Sequence, residues 1–145
     1  MVVQQNTQNV KQIKTHLIKV NERFFPPLNT YINIEEYAQK LFDKAINFEA
    51  LDGSVLIGLV AGYHNMEENI FFISNVSVDP DFQGKGITRN LFGSLYAYCH
   101  KNNIYQLKLQ VFKQNLPAIN LYQKLGFEVS TDEDERLTLI KFLNE

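Results

Sequence analysis

The sequence predicts an α/β fold in a single domain that spans residues 1–145. A chain of 145 residues with 45% hydrophobic content buries a sizeable core without dividing into two domains. Segments with helical spacing of apolar residues alternate with short runs rich in β-branched and aromatic residues. In addition, a glycine-rich turn at Gln83–Thr88 separates the strongest predicted strand from a long predicted helix.

The composition of the chain limits the kinds of partner that the protein could bind and the cellular compartment in which it could function. Fourteen basic and sixteen acidic residues give a formal net charge of −2, without the basic face that a nucleic-acid-binding surface needs. The apolar runs are too short to cross a bilayer, and no signal peptide is evident. Cys99 is the only cysteine, which excludes an intrachain disulfide and a cysteine-rich zinc site. We therefore expect a soluble, cytoplasmic protein without a metal, nucleic-acid or membrane partner.

Two amphipathic helices are predicted in the first third of the chain. The segment from Thr7 to about Phe24 has apolar residues at helical spacing, and consecutive prolines follow it. Asn33 is the predicted N-cap of the second helix, with Glu36 placed to complete a capping box. The buried face of this helix is predicted to contain Ile34, Tyr37, Leu41, Ala45 and Phe48.

A hairpin and a central strand follow. Phe48–Leu51 and Val55–His64 are predicted to pair across an Asp-Gly step, where glycine supplies the positive φ of a tight turn. After a polar turn, Ile70–Val78 is predicted to be a strand. Strict alternation would place Ser74 among apolar residues, so a β-bulge near Ser74–Val76 is expected to re-aim the side chains.

The second half is predicted to contain two helices and three strands. The helix from Lys85 to about Asn102 has a wide apolar stripe that suits packing against a sheet. A shorter helix has Pro117 in its first turn and Gly126 just beyond its end. The predicted strands are Gln106–Val111, Phe127–Thr131 and Arg136–Leu143. The last two form a hairpin across an acidic turn.

The glycine-rich turn has the properties of an anion site. Gly84 and Gly86 lack a Cβ, so their backbone N–H groups can approach a ligand closely. The first N–H groups of the following helix have no internal partner, and the helix dipole favours negative charge there. Lys85 and Arg89 add positive charge. These residues predict a phosphate-binding loop.

Two motifs carry a resemblance to a known family. The stretch Gln83-Gly84-Lys85-Gly86-Ile87-Thr88 resembles the Q/R-x-x-G-x-G/A signature of the GNAT superfamily of N-acetyltransferases, although threonine replaces the usual glycine or alanine at position 88. A second stretch is similar to another signature of the family, at Asn115, Pro117, Ala118, Tyr122, Gly126 and Phe127. The resemblance implies the acyl-CoA N-acyltransferase fold, a mixed and largely antiparallel sheet flanked by helices, with acetyl-CoA as cosubstrate and no metal.

The resemblance also implies roles for individual residues. The main-chain N–H of Val76 would polarise the thioester carbonyl, and Val78 would bond the pantetheine arm. Tyr122 would protonate the departing thiolate, and Asn115 would bond the pantetheine or cap the following helix. The pyrophosphate would be held by Gln83, Gly84, Lys85, Gly86, Ile87, Thr88 and Arg89. Without the motif, Tyr122 suits core packing and the two valines suit ordinary strand pairing.

The acceptor pocket is less well defined. In the family, the loop between the first two helices commonly borders this pocket, which implicates Phe25 and Tyr31 together with Phe24; the alternative for all three is core packing. Many relatives have a carboxylate base near the position of Ser74 or Asn75, and this chain has none there. These two residues could hold a water molecule. The other candidate bases are His64, Glu67 and Glu68, whereas His16 and His100 are predicted to be surface residues.

The predicted function is an N-acetyltransferase that passes the acetyl group of acetyl-CoA to a primary amine by direct attack. The acceptor is expected to be a small molecule, either an amino sugar or an amino-acid-like metabolite. Cys99 lies well into the long helix, so no covalent acyl intermediate is expected. One alternative is a non-catalytic acyl-CoA-binding or regulatory domain. Another is a homodimeric structural module in which the glycine turn only begins a helix.

Overall fold

A mixed sheet of seven strands runs through the centre of this computed structural model, which describes residues 1–144. The strands are β1 (Val2–Gln5), β2 (Ile46–Asp52), β3 (Val55–Asn65), β4 (Ile70–Val78), β5 (Gln106–Phe112), β6 (Glu128–Glu133) and β7 (Arg136–Phe142). The α-helices are α1 (Val10–Val20), α2 (Ile34–Lys44), α3 (Ile87–Lys101) and α4 (Leu116–Lys124). Short 3₁₀ turns occupy Asn21–Arg23, Leu28–Thr30 and Pro80–Phe82.

The strand order is β1-β2-β3-β4-β5-β7-β6. Every neighbouring pair is antiparallel except β4 and β5, which are parallel. The predicted mixed, largely antiparallel sheet is therefore confirmed. Strand β1, which lies at the edge against β2, was not expected from the sequence.

The central strand contains the predicted bulge. Ala61 of β3 pairs with Asn75, and the next residue, Gly62, pairs with Ile73, so Ser74 is an extra residue on β4. A Cβ at Gly62 would overlap the carbonyl oxygen of Phe72, which makes glycine necessary opposite the bulge. Because the bulge changes the direction of β4, it determines what the second half of the strand faces.

Strands β4 and β5 diverge just after they meet. Their parallel pairing covers only Phe71–Ile73 against Leu107–Leu109, although both strands continue beyond it. The later part of each strand therefore has a main-chain edge that is not paired with the other. This divergence opens a gap within the sheet, at the carboxyl ends of two parallel strands.

Each face of the sheet is covered by helices. On one face α3 packs Leu91, Phe92 and Leu95 against strand residues such as Phe71 and Leu107. On the other face the two N-terminal helices pack Ile13, Leu17, Ala38 and Leu41 against β2 and β3. Burial of each large aliphatic side chain contributes about 1.5–3 kcal/mol.

Two predictions about α2 need correction: the place of Phe48 and the capping box at Asn33. Phe48 is not on the second helix: the backbone is already extended at Ala45, and Phe48 is a buried residue of β2. The spacing was misleading because Ala45 and Phe48 are three residues apart, as two positions on one helix face would be. At Asn33 the predicted N-cap is confirmed, since its side chain accepts the Glu36 N–H at 3.0 Å. The complete capping box is found instead in α1, between Asn9 and Gln12.

No helix within residues 1–144 is long and apolar enough to span a bilayer. In the same stretch, the His, Cys, Asp and Glu side chains form no group of three or more that would hold a metal ion.

Candidate functional site

The gap between β4 and β5 forms a cavity of about 640 Å³. Its walls include Phe72–Val78 of β4 and Leu109–Phe112 of β5. Residues of α4 close one side, and the segment between α1 and α2 closes another. A volume of this size is typical of a small-molecule site, so the sheet itself provides a binding cleft.

Most of the predicted site residues meet in this cavity. They come from four separate parts of the chain, and the divergence of β4 and β5 brings them together. The predicted residues that line the cavity are Phe25, Tyr31, Val76, Val78, Gln83, Thr88, Asn115 and Tyr122.

The glycine-rich turn forms an adjoining cavity of about 210 Å³. Gly84, Gly86, Ile87 and Arg89 line it, and Val78, Gln83, Thr88 and Leu121 belong to both cavities. Gly84 and Gly86 both have φ of +75°, and no atom lies within 4 Å of a Cβ built at either position. Gly86 is the N-cap of α3 without a side-chain cap, which leaves the first N–H groups of the helix available to an anion.

Two side chains show how the turn is fixed. The Gln83 side chain donates from Nε2 to the carbonyl oxygen of Val78 at 3.1 Å, which ties the turn to the end of β4. The Lys85 ammonium lies 5.4 Å from the centre of the Phe82 ring, and Lys85 lines neither cavity. In its place Lys124, which sequence reasoning did not select, lines the smaller cavity beside Arg89.

Tyr122 contributes both to the core and to the cavity. Its ring packs edge-on against Phe127 with centroids 5.9 Å apart, and it is 8% exposed. Burial raises the pKa of Tyr122, and the neighbouring Tyr31 raises it further. The hydroxyl is therefore protonated at neutral pH and is a hydrogen-bond donor in a residue that lines the cavity. Asn115 caps α4 by accepting the Ala118 N–H at 3.2 Å and also lines the cavity, so its capping role is confirmed.

Two aromatic rings and a guanidinium group form one end of the cavity, next to the segment between α1 and α2. The Tyr31 ring lies edge-on to Phe112, with centroids 4.9 Å apart. The guanidinium of Arg136 is 4.5 Å from the Phe112 centroid and 5.9 Å from that of Tyr31. Burial raises the pKa of Tyr31, and Arg136 opposes this effect. Arg136 and Arg23, which also lines the cavity, were not selected from the sequence.

The bulge residue Ser74 is held by α2. The Tyr37 hydroxyl is 2.6 Å from the Ser74 hydroxyl and donates to the Ser74 carbonyl oxygen at 3.1 Å. Burial raises the pKa of Tyr37 to about 12. Both hydroxyls are therefore neutral hydrogen-bonding groups rather than bases at physiological pH.

The prediction that His16 is a surface residue is wrong. It is 2% exposed, and its Nε2 lies 2.9 Å from the hydroxyl of Ser77, which donates to Oδ1 of Asn75 at 2.8 Å. Burial lowers the pKa of His16 to about 4, although the Leu56 backbone and Asp79 act in the opposite direction. The helical spacing could have shown this, because His16 falls on the same face as Ile13, Leu17 and Val20.

None of the three candidate bases lies at the cavity. His64, Glu67 and Glu68 are absent from its lining, and His64 is instead 2.8 Å from Oδ1 of Asn69. Among residues 1–144, no aspartate, glutamate or histidine lines the cavity. The ionisable groups that do line it are two arginines and three tyrosines.

The chain is similar in sequence to known acetyltransferases. The sequence profile described as the Acetyltransferase (GNAT) family matches residues 14–127. The chain is 30% identical over 96 residues to an N-acetylaspartate synthetase from Xenopus tropicalis, covering 66% of this chain and 35% of that protein. It is also 30% identical over 95 residues to the ribosomal protein bS18-alanine N-acetyltransferase of Escherichia coli, covering 66% of this chain and 63% of that protein.

A solved structure supports the fold. The PaiA N-acetyltransferase of Thermoplasma acidophilum, crystallised with coenzyme A, superimposes with a TM-score of 0.76 at 17% identity, covering 98% of this chain and 99% of that one. The two curated relatives are longer proteins, and the matched stretch covers less than two thirds of each.

Proposed function

The chain belongs to the acetyltransferase (GNAT) family, and from that premise we propose that it transfers the acetyl group of acetyl-CoA to a primary amine of a small molecule. The observation that carries the proposal is the divergence of β4 and β5 beyond Ile73 and Leu109. The cavity that opens there has an aromatic compartment and shares four lining residues with the smaller cavity at a helix N-terminus suited to phosphate.

The smaller cavity suits the pyrophosphate of acetyl-CoA. The N–H groups at the start of α3 and the side chains of Arg89 and Lys124 all favour negative charge there. From this point, the unpaired main-chain edge of β4 leads past Val78 to Val76. This edge offers N–H and C=O groups to an extended arm with amide groups, as an additional strand would. The related PaiA protein was crystallised with coenzyme A, which agrees with this use of the cleft.

Acetyl-CoA supplies the acetyl group as an activated thioester. In the proposed reaction the amine nitrogen forms a bond to the carbonyl carbon while the carbon–sulfur bond breaks. The Val76 N–H stabilises the negative charge that develops on the carbonyl oxygen, and the Tyr122 hydroxyl donates a proton toward the departing sulfur. Because no carboxylate or histidine of residues 1–144 lines the cavity, in the proposed reaction the amine loses its proton to water before or during attack.

The same absence of a base supports a second candidate. A non-catalytic acyl-CoA-binding domain would retain the glycine turn and the cleft and would need no group to accept a proton. Binding of acetyl-CoA is therefore common to both candidates, and only turnover separates them.

The experiment combines a binding assay with a turnover assay. Coenzyme A should raise the melting temperature, and thiol release from acetyl-CoA should depend on added primary amine, with the acetylated amine identified by mass spectrometry. Tertiary amines provide the matched control because they cannot form the amide product. A thermal shift without thiol release from any primary amine would favour the non-catalytic domain.

A further inference from the structure

We propose that the acceptor amine also carries a carboxylate and that Arg23 and Arg136 bind it. This inference rests on the proposed function, because it concerns the acceptor end of the same cleft. It selects an amino-acid-like acceptor over an amino sugar, a polyamine or a basic protein tail.

The charge of the cavity is the first observation. The chain has more acidic than basic residues, sixteen against fourteen. Nevertheless, within residues 1–144 the cavity lining contains two arginines and no carboxylate. A cationic acceptor would be repelled by such a lining, whereas an acceptor with a negative group would be attracted.

The state of the two guanidinium groups is the second observation. Neither Arg23 nor Arg136 forms an ion pair with any carboxylate of the described chain. The Arg136 guanidinium lies over the Phe112 and Tyr31 rings, a contact that does not occupy its N–H donors, and it forms no ion pair within residues 1–144. A planar guanidinium with unused donors matches the two oxygens of a carboxylate.

The phosphates of acetyl-CoA are the other anions that these arginines could meet. However, Arg23 and Arg136 line only the larger cavity, whereas Arg89 and Lys124 line the cavity at the glycine turn. The cations are thus divided between the two ends of the cleft. This division leaves Arg23 and Arg136 available to the acceptor.

Asn75 adds a neutral donor to the same cavity. It is 2% exposed, its Oδ1 accepts from the Ser77 hydroxyl at 2.8 Å, and its side chain lies close enough to the Tyr37 hydroxyl to oppose the rise in the pKa of that phenol. Because this buried amide lines the cavity, a polar group of a bound acceptor can add to its hydrogen bonds.

The two arginines also affect how the acceptor amine loses its proton in a cavity without a basic side chain. Positive charges close to an ammonium group lower its pKa, because the neutral amine is then favoured. An acceptor whose carboxylate is held by Arg23 and Arg136 would therefore bring its amine into a cationic environment. In this way the site promotes the neutral, nucleophilic form of the amine without a carboxylate base.

The test uses pairs of acceptors that differ only in the carboxylate. L-alanine is compared with L-alaninamide, and L-phenylalanine with L-phenylalaninamide, with D-glucosamine and spermidine as acceptors that lack a carboxylate. We expect kcat/KM to be about 10- to 100-fold higher for each acid than for its amide, as one or two charge-assisted hydrogen bonds would give. The amine of each amide is less basic than that of the matching acid, so a larger fraction of it is neutral and nucleophilic. A higher kcat/KM for the acid therefore has to come from binding of its carboxylate.

Three arginine variants and one control variant test whether Arg23 and Arg136 cause the preference for the acid. Arg23→Gln and Arg136→Gln should raise the KM for the acid about tenfold or more, leave the amide almost unchanged and leave the KM for acetyl-CoA unchanged. Arg136→Lys keeps the charge but lacks the planar fork, and should recover part of the loss. Lys101→Gln removes one positive charge at an exposed position at the end of α3 and should change none of these values.

Each contrary outcome has a distinct meaning. Equal use of acids and amides, or good use of D-glucosamine or spermidine, would overturn the carboxylate inference and leave the proposed acetyl transfer standing. An equal loss of acetyl-CoA affinity in the arginine variants would reassign these residues to the cosubstrate. Binding of coenzyme A without acetylation of any amine would overturn the proposed function and this inference together.

Discussion

The ring of Tyr122 packs in the core beside Phe127, and the same residue lines the cavity. The aromatic ring alone would explain the burial. The position opposite Tyr31, among residues from β4 and the glycine turn, is what supports a chemical role. Because burial raises the pKa of this phenol, it remains a proton donor across the neutral range and gives no loss of activity by ionisation below about pH 10.

Removal of this hydroxyl gives a direct test. Tyr122→Phe should lower kcat and kcat/KM by about tenfold or more, because in the proposed reaction the departing thiolate would lose its proton donor. The melting temperature and the affinity for coenzyme A should change little, since the ring is retained. Tyr105→Phe is the control, because the Tyr105 hydroxyl bonds Asn103 and Tyr105 does not line the cavity. Normal turnover by Tyr122→Phe would leave Tyr122 with a packing role only.

Single residues were the hardest level to predict from the sequence. Tyr122 and Asn115 lie in a motif whose spacing follows from a helix that begins at one and contains the other, so the sequence places them well. Arg23 and Arg136 are far apart in the chain and have no local pattern that distinguishes them from surface arginines. Only the tertiary fold brings both to one cavity.

At the scale of elements, the unit formed by β4, the glycine turn and α3 organises the site. Local physics fixes each part: the bulge at Ser74 follows from a conflict in the alternation, and positive φ at Gly84 and Gly86 follows from the tight entry into the helix. The sequence therefore predicted this unit closely. The edge strand β1 was missed because Val2–Gln5 is short and polar in part, and it is held by pairing with β2 rather than by its own pattern.

The turn can be tested with a pair of matched glycines. Gly86 and Gly53 both have positive φ, +75° and +60°, and neither has an atom within 4 Å of a Cβ built on it. Gly86→Ala and Gly53→Ala should therefore each destabilise the protein by a similar amount, about 1–2 kcal/mol. Only Gly86→Ala should weaken coenzyme A binding, by about tenfold or more, because its Cβ would hold the phosphate away from the N–H groups. Binding should be measured by isothermal titration calorimetry, and an equal loss in both variants would remove the turn from the phosphate site.

At the scale of the whole molecule, buried polar groups connect α1 to the sheet behind the cavity. His16 of α1 contacts Ser77 of β4, and Lys19 pairs with Asp79 at 2.5 Å just beyond the strand. Burial alone would raise the pKa of Asp79, but Lys19 and the Asp81 N–H hold it below its usual value. These contacts fix the position of β4 relative to α1 and thereby help to keep the cleft in shape.

The buried histidine makes stability depend on pH. In the folded protein the pKa of His16 is lowered to about 4, so between pH 4 and 6.5 the unfolded chain binds more protons. The free energy of unfolding should therefore fall as the pH decreases through this range, by about 2–3 kcal/mol from His16 between pH 7 and 4.5. Urea denaturation at the two pH values measures it. His16→Asn should lose this component, whereas His100→Asn, at an exposed site, should retain it.

The short parallel contact between β4 and β5 has a mechanical consequence. Within residues 1–144, strand pairing joins the two halves of the sheet only at Phe71–Ile73 and Leu107–Leu109, so this pairing can serve as a hinge. Tyr31, in the segment between α1 and α2, contacts Phe112 of β5 and Arg136 of β7 across the open end of the gap. If Arg136 also binds the acceptor, the same side chain contacts both the ligand and the two halves of the sheet. Binding of the acceptor should therefore reduce the motion of one half relative to the other.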